Sequence, residues 1–415
     1  MPEASWLQSA SPAFRLMIAT SWLAPASWQE KQEQAIREAI QFFGAGREAI
    51  QVFDAGIDWM EFIRLVDRHR TPALSWAALR RVPGLEIPEL AMRELQKRSD
   101  ACRMQAVRHC LLLAGVLNGF NRAGIPVMTM KGPTLSFELY GDVGLRDSKD
   151  LDLAVAADDL HRAQACLSVL GWHPDSTYLA MTPRQWKQLL RMEQHIGFIH
   201  SQGGCVLELH WRAQWELQDQ TNDRWARSIP SVWQGCSYQA MNPIDQVLYL
   251  CSHGGIHGWF RAKWIGDLAR IHAEGQMNWQ AVLDQASRTG QERALLICLR
   301  LLQDVYGLPV PDLPGNPWKN LPSFLIARPL RDLRISKDLA AFGALAIARE
   351  NFRLIRYQWL AVPQKTWRDL LAELAYRRQD FQVLRLPDRF YWAYTALRPF
   401  IWVWRRVLRR GPASG

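Results

Sequence analysis

Two aspartates separated by one residue form the pattern in this chain that is best suited to metal chemistry. Asp150 and Asp152 lie in KGPTLSFELYGDVGLRDSKDLDLAV, whose last residues, LDLAV, predict a β-strand. Alternate side chains of a strand share a face, so both carboxylates point one way while Leu151 and Leu153 point into the core. Adjacent carboxylates repel each other unless a cation lies between them. Because Mg²⁺ prefers hard oxygen ligands, the pair predicts a site for Mg²⁺ or Mn²⁺.

Three neighbouring features favour this interpretation over the commoner one, a solvated strand end. The run Lys131-Gly132-Pro133-Thr134 lies between a predicted strand and a predicted helix, where free backbone N–H groups favour a phosphate. Arg146 precedes the aspartates and could neutralise phosphate charge, although taken alone it is better interpreted as a solvated arginine. Glu208 and His210 alternate in CVLELHW, so they share a face of another strand. A third carboxylate from a separate strand would complete a metal cradle.

The elements around these residues predict a small α/β unit over residues 106–235. A helix is expected from about Glu94 to Ala123, ended by Gly124. IPVMTM predicts a strand, PTLSFELY a helix that starts with proline, and ADDLHRAQACLSVL a helix after the LDLAV strand. HIGFIH and CVLELHW flank the turn residues 201–204 and predict a hairpin.

Helical patterns flank this unit on both sides. Residues 1–105 carry amphipathic segments such as QEKQEQAIREAIQFF and IDWMEFIRLVDRH. Residues 236–415 return to helices, beginning at Asn242-Pro243 and ending in a basic, aromatic tail. The predicted fold class is therefore α+β, with a small sheet domain between two helical regions.

The composition is that of an ordinary globular chain. Of 415 residues, 48% are hydrophobic and 22% are charged, so the chain can bury a large core. No run of 18 apolar residues predicts a membrane-spanning helix, and no basic segment precedes the apolar N-terminus. The seven cysteines are scattered and never spaced as CxxC, which indicates reduced thiols. We therefore expect a cytoplasmic protein.

The net charge of +10 is concentrated at the C-terminus. Residues 389–410 hold six arginines and no acid, so the rest of the chain is only mildly basic and gives no strong nucleic-acid signal. The mixture of arginine and aromatic residues in this tail would also suit a membrane surface. A helix that packs its aromatic side chains on the body, with its arginines in water, is favoured over that alternative.

Several other polar residues are candidates for the pocket or for structural roles. His195 precedes the predicted hairpin, and it is a candidate for the pocket lining together with His210. His253 and His257 stand four residues apart without a completing ligand, so we interpret them as structural. Asp267 is expected to be a helix residue buried against a basic partner.

The combination of these motifs resembles a known family. The run Met130–Val155, then LELHW and HGGIHGWFRAKWIGDLARI, is similar to the uncharacterised nucleotidyltransferase-like family of the polymerase β superfamily. FRLMIA, IDW at 57–59 and the segment 69–74 extend the resemblance over most of the chain. The resemblance implies a small mixed-sheet, polymerase β-like core and a transferase that uses an NTP.

The resemblance also implies roles for individual residues. Asp150, Asp152 and Glu208 would be the catalytic metal ligands, and Glu208 could instead activate the acceptor hydroxyl. The nucleotide phosphates would be bound by four residues of the preceding segment: Lys131, Gly132, Thr134 and Arg146. The wider superfamily has serine where this chain has Pro133, so only Thr134 could supply that hydroxyl.

The sequence predicts an Mg²⁺- or Mn²⁺-dependent enzyme that moves a nucleoside monophosphate from an NTP, with ATP favoured, to an acceptor hydroxyl. The motifs do not select among protein, small-molecule, sugar and RNA acceptors, and they do not set the oligomeric state. Two alternatives stay open. One is a DxD glycosyltransferase, which fits the order of elements less well, and the other is a nucleotide-binding or interaction module that has lost catalysis.

Overall fold

The computed structural model describes residues 4–41, 57–175, 182–212, 223–315, 317–335 and 344–361, together with 384, 386–390 and 392–404. Within these ranges six α-helices precede the sheet: α1 (Ala4–Gln8), α2 (Pro12–Thr20), α3 (Gln29–Gln41), α4 (Trp59–His69), α5 (Pro72–Arg80) and α6 (Glu89–Arg122). The 34-residue helix α6 begins five residues before the predicted start. It ends where predicted, because Gly124 takes a positive φ of 62° there.

The central region alternates strands and helices. Its elements are β1 (Met128–Thr129), α7 (Pro133–Tyr140), β2 (Asp150–Ala154), α8 (Leu160–Val169), β3 (Trp172–Pro174), α9 (Pro183–Met192), β4 (His195–His200), β5 (Val206–His210), β6 (Ile229–Trp233) and β7 (Cys236–Ala240). The helix α7 has the bounds that its sequence predicts, with proline in the first turn and Gly141 in the left-handed region after its end.

The described strands form one mixed sheet in the order β3-β4-β5-β2-β1-β7-β6. β2 pairs in parallel with β5 and antiparallel with β1, and β4 and β5 form the predicted antiparallel hairpin. The structure therefore confirms the predicted α+β fold with a mixed sheet.

The sequence patterns did not predict the hairpin of β6 and β7. β7 pairs in parallel with β1, and the turn between β6 and β7 contains Gln234 and Gly235. The expected boundary at residue 235 falls inside this turn, and the sheet extends to Ala240. In β6 the apolar side chains of Ile229 and Val232 are exposed, so the apolar residues of this strand do not mark a buried face.

The described C-terminal part is helical, as predicted. It comprises α10 (Pro243–Ile256), α11 (Ala262–Ala273), α12 (Trp279–Thr289), α13 (Glu292–Tyr306), α14 (Phe324–Arg334), α15 (Ala344–Ala361) and α16 (Ala393–Val403). None of the helices within the described ranges combines the length and apolar character needed to cross a bilayer. The arginines of the predicted basic tail at positions 405, 406, 409 and 410 lie outside the described residues.

Two apolar cores hold these layers together. Leu151 and Leu153 lie in the first, between the sheet and the helices α6 and α8, as the alternation in LDLAV predicts. The second core joins helices from both ends of the chain, with Leu16 of α2 and Leu268 of α11 both fully buried in it. The N-terminal and C-terminal helices therefore pack against each other, on the side of the sheet that carries Met128 and Ala154.

A buried histidine connects these two helical regions. His69, at the end of α4, is fully buried, and its Nδ1 accepts a hydrogen bond of 3.0 Å from the backbone N–H of Ala262 in α11. Its ring lies edge-on to Phe14, with 6.2 Å between the centroids. Burial, together with the nearby Arg68, lowers the pKa of His69 to about 3, so the folded protein keeps this imidazole neutral.

We expect His69 to make the folded state sensitive to acid. Because its folded-state pKa lies below the ordinary 6.5, its contribution is complete above pH 6.5 and is lost as the pH falls towards 3. In His69→Gln, the decrease in the free energy of unfolding between pH 7.5 and 5.5 should be smaller than in the wild type by about 1 kcal/mol. Urea denaturation at both pH values measures this difference. The exposed His173→Gln serves as the control, and an equal decrease in all three proteins would contradict the assignment.

Candidate active site

Three carboxylates meet on one face of the sheet. The parallel register aligns Asp152 of β2 with Glu208 of β5, and Asp150 lies two residues earlier on the same face as Asp152. Asp152 is only 1% exposed, whereas the Asp150 and Glu208 residues are partly exposed. The structure thus brings together the three acids that the sequence predicts as metal ligands.

Lys131 lies between this face and the helix α10. It follows β1, whose pairing with β2 continues through a hydrogen bond of 3.0 Å from Met130 N–H to the Asp152 carbonyl. The Lys131 ammonium lies 3.0 Å from Asp152 Oδ1 and 5.7 Å from the centre of the Tyr249 ring. Burial opposes its charge most strongly, but the combined attraction of Asp152, Asp150 and Glu208, together with Tyr249, outweighs burial and raises the pKa of Lys131 above its ordinary value. The predicted phosphate-binding lysine is thus a fixed positive charge inside the site.

Both predicted pocket histidines lie beside Glu208. His195 of β4 is aligned with His210 of β5 in the antiparallel register, and their ring centres are 4.9 Å apart. His195 Nε2 lies 3.6 Å from Glu208 Oε1, and His210 Nε2 lies 3.4 Å from Glu208 Oε2. His210 Nε2 also faces Asp152 Oδ1 at 3.5 Å. These three residues, His195, Glu208 and His210, form a cluster that could hold a metal ion.

The environment separates the acidities of the two aspartates. Burial, reinforced by repulsion from Asp152, raises the pKa of Asp150 to about 6. Burial acts on Asp152 too, but Lys131 and His210 outweigh it and hold the pKa of Asp152 below its ordinary value. Burial also opposes ionisation of Glu208, yet contact with His210 lowers the pKa of that carboxyl group. The buried negative charge is therefore compensated by basic side chains of the same site.

The start of α7 forms the edge of the site next to Lys131. Gly132 has a φ of 85°, a conformation that suits glycine, and a Cβ atom there would lie 3.9 Å from the Asp150 carbonyl oxygen. The first turn of any helix leaves backbone N–H groups free, and they face anions favourably. The hydroxyl of Thr134, however, is buried and lies 3.2 Å from the Thr129 hydroxyl.

Arg146 takes a different position from the phosphate contact predicted for it. Its guanidinium is 3% exposed and donates a 2.9 Å hydrogen bond to Asp267, which is fully buried in α11. A second donor reaches the Ser148 hydroxyl at 3.2 Å. The expectation that Asp267 is buried against a basic partner is confirmed, and Arg146 is that partner.

Three cations near Asp150 were not selected from the sequence. Lys263 of α11 donates a hydrogen bond to the Asp147 carbonyl, and burial and Arg146 lower its pKa to about 7. Arg70 and Arg261 interact electrostatically with both Asp147 and Asp150. Within the described residues neither guanidinium has a carboxylate within salt-bridge distance. Arg70 in HRTP and Arg261 in FRAKW are single arginines far apart in the sequence, so no local pattern predicts that they lie near the same aspartates.

His253, near the end of α10, and His257, the residue that follows this helix, have aromatic partners. His257 stacks on Trp264 with 5.1 Å between the centroids, and His253 lies edge-on to the same ring at 5.5 Å. Burial lowers the pKa of His253 well below its ordinary value, so both geometry and charge agree with a structural role.

Residues 55–307 match the family described as an uncharacterised nucleotidyltransferase. This match covers more than half of the chain, and the chain therefore belongs to this family of nucleotidyltransferases. No match to a curated protein was found. The solved structure of the antibiotic-resistance factor ANT(2'')-Ia is similar at 12% identity, over 60% of this chain and 97% of that chain, with a TM-score of 0.25. A likeness this low carries no argument about the present chain.

Because Arg146 is paired with buried Asp267, we expect its replacement to lower the stability of the fold more than the affinity for nucleotide. Arg146→Met would leave a buried carboxylate unpaired, so the free energy of unfolding should fall by roughly 3–5 kcal/mol. The double variant Arg146→Met/Asp267→Leu should recover most of that loss, because it removes both charges. Chemical denaturation of the single and double variants measures the coupling.

The matched control is Arg162→Met, which removes an exposed arginine paired with Asp159. It should change the free energy of unfolding by less than about 1 kcal/mol. If Arg146→Met kept its stability and lost nucleotide affinity, Arg146 would be a phosphate ligand and the structural assignment would be wrong.

Proposed function

We propose that this protein transfers a nucleoside monophosphate from an NTP, with ATP as the favoured donor, to an acceptor hydroxyl and releases pyrophosphate. The observation that carries the proposal is the convergence of Asp150, Asp152 and Glu208 on one face of β2 and β5. Family membership favours this chemistry over that of a DxD glycosyltransferase.

The residues present fit a divalent metal ion. Asp152 and Glu208 are neighbours across two parallel strands, and such a concentration of buried carboxylates favours a bound cation. Asp150 adds a third, partly exposed group on the side where a nucleotide could enter. Carboxylate oxygens suit Mg²⁺ or Mn²⁺, which would neutralise the charge of the reacting phosphates.

The phosphates would be held by cations and by backbone groups around Asp150. Lys131 and the N-terminus of α7, reached through Gly132, supply one side. Arg70 and Arg261 supply the other, and they replace Arg146, whose guanidinium is already paired. The Thr134 hydroxyl contacts Thr129, so we propose that the backbone N–H of Thr134, and not its hydroxyl, contacts the phosphates.

In this reaction the acceptor oxygen forms a bond to the α-phosphorus, and the bond from that phosphorus to the pyrophosphate oxygen breaks. The acceptor proton passes to a carboxylate, for which Glu208 is suitable because it is ionised and partly exposed. Charge neutralisation and alignment of the reacting groups would supply most of the rate enhancement.

A second candidate is a nucleotide-binding module without catalysis. It is favoured by the salt bridge between Lys131 and Asp152, which occupies one proposed ligand, and by the inward position of the Thr134 hydroxyl. Nucleotide binding without transfer to any acceptor would support this alternative.

The transfer reaction is tested with α-labelled NTPs in the presence of Mg²⁺ or Mn²⁺. We expect label to appear on an acceptor or on the protein, and transfer to fall at least about 100-fold in Asp150→Asn, Asp152→Asn and Glu208→Gln. The reason is that each variant removes a negative charge from the metal site. Asp158→Asn, an exposed aspartate beyond β2, is the matched control and should keep full transfer. No nucleotide binding by calorimetry with metal present would refute the proposal.

The phosphate contacts are tested separately by affinity. Arg70→Gln and Arg261→Gln should each weaken binding of the metal–NTP complex about 10-fold, which is the loss expected for one charged contact. Calorimetry gives the dissociation constants, and Arg80→Gln, which removes an exposed arginine of α5, is the control. Unchanged affinity in both variants would mean that the phosphates bind elsewhere.

A further inference from the structure

The face that carries the carboxylates also presents two imidazole groups at ligand distance from one of them. Glu208 and His210 are two residues apart on β5, and His195 is the partner of His210 on β4. All three side chains therefore project from the same face of the sheet. Their donor atoms lie close enough together to surround one ion.

The separations in this cluster match metal coordination better than direct hydrogen bonding. The Nε2 atoms lie 3.6 Å (His195) and 3.4 Å (His210) from the two Glu208 oxygens, which is longer than an ordinary hydrogen bond. In a tetrahedral site with bonds of about 2.1 Å, neighbouring ligand atoms are about 3.4 Å apart. His210 Nε2 and Asp152 Oδ1, at 3.5 Å, have the same spacing.

His210 supplies a second, independent observation. The residue is 3% exposed, and neither of its ring nitrogens makes a hydrogen bond. A buried polar nitrogen without such a partner is costly, and its Nε2 is aimed between Glu208 and Asp152. An ion bound between these atoms would satisfy that nitrogen and reduce the repulsion of the two carboxylates.

There is also space for an open coordination position. Gly197 is the register partner of Glu208 on β4, and a Cβ atom at this glycine would meet no atom within 4 Å. Two imidazoles and one carboxylate with an open position make a ligand set that suits Zn²⁺ and related transition ions. Mg²⁺, in contrast, prefers oxygen ligands alone.

We propose that His195, Glu208 and His210 bind a transition-metal ion of the Zn²⁺ class and leave one coordination position open. This inference rests on the proposed function only in placing the ion beside the site of the metal–nucleotide complex. Asp150 and Asp152 then provide oxygen ligands for the Mg²⁺ or Mn²⁺ that accompanies the nucleotide. The two imidazoles provide nitrogen ligands for the transition-metal ion, which binds in the absence of nucleotide.

The test uses the full chain, stripped of metal by a chelator and titrated with Co²⁺ as a spectroscopic probe. We expect visible d–d absorption of a low-coordinate Co²⁺ that saturates at one equivalent and is displaced by Zn²⁺ but not by Mg²⁺. His195→Gln and His210→Gln should weaken Co²⁺ affinity by more than about 100-fold, because each removes a nitrogen ligand. Circular dichroism verifies the fold of His210→Gln, and the more exposed His195→Gln keeps the test valid if the former unfolds.

Two matched variants complete the experiment. His173→Gln removes an exposed histidine from the same sheet, and Asp150→Asn removes an acid outside the proposed ligand set, so both should keep the Co²⁺ band. Absence of the band, or its persistence in His195→Gln, would overturn the inference. Co²⁺ binding without any nucleotide binding would refute the proposed function alone, whereas Mg²⁺-supported transfer by a protein that does not bind Co²⁺ would refute this inference alone.

Discussion

The parallel pairing of β2 with β5 is the constraint on which the site depends, because it places Asp152 beside Glu208 on a buried face. Two carboxylates in this position repel each other strongly unless positive charge is close. Lys131 and His210 place basic groups beside Asp152 in the folded chain. Lys131 follows β1 and His210 is the last residue of β5, and both of these strands pair with β2. The proposed metal ions would act on the same excess of negative charge.

The helical layers position the rest of the site. The helix α10 places Tyr249 against Lys131, and α11 carries Asp267, whose carboxylate pairs with the Arg146 guanidinium. The hydrogen bond between Ala262 and His69 fixes the ends of α4 and α11 together, and Arg70 and Arg261 are the adjacent residues. Helices from both ends of the chain thus share one core and also supply the cations that flank Asp150.

The two proposals divide one sheet face into two kinds of ligand. Asp150 and Asp152 on β2 offer only oxygen atoms, whereas His195 and His210 on β4 and β5 add nitrogen atoms. Glu208 lies between the two sets and belongs to both. Because Mg²⁺ prefers oxygen ligands and Zn²⁺ accepts nitrogen ligands, the two ions would bind at different ends of the same site.

The sequence by itself determined the features that depend on local pattern. Alternation in LDLAV put Asp150 and Asp152 on one face, and the Gly-Pro junction and Gly141 set both ends of α7, because strand and helix periodicity act between near neighbours. Only the tertiary structure decided which distant groups meet. The strand β6, IPSVW, has no alternation of apolar and polar residues that would predict its pairing with β7. Arg146 pairs with Asp267, which lies 121 residues away in the sequence. Strand register and helix packing decide such contacts, and neither is encoded in the residues next to an arginine along the chain.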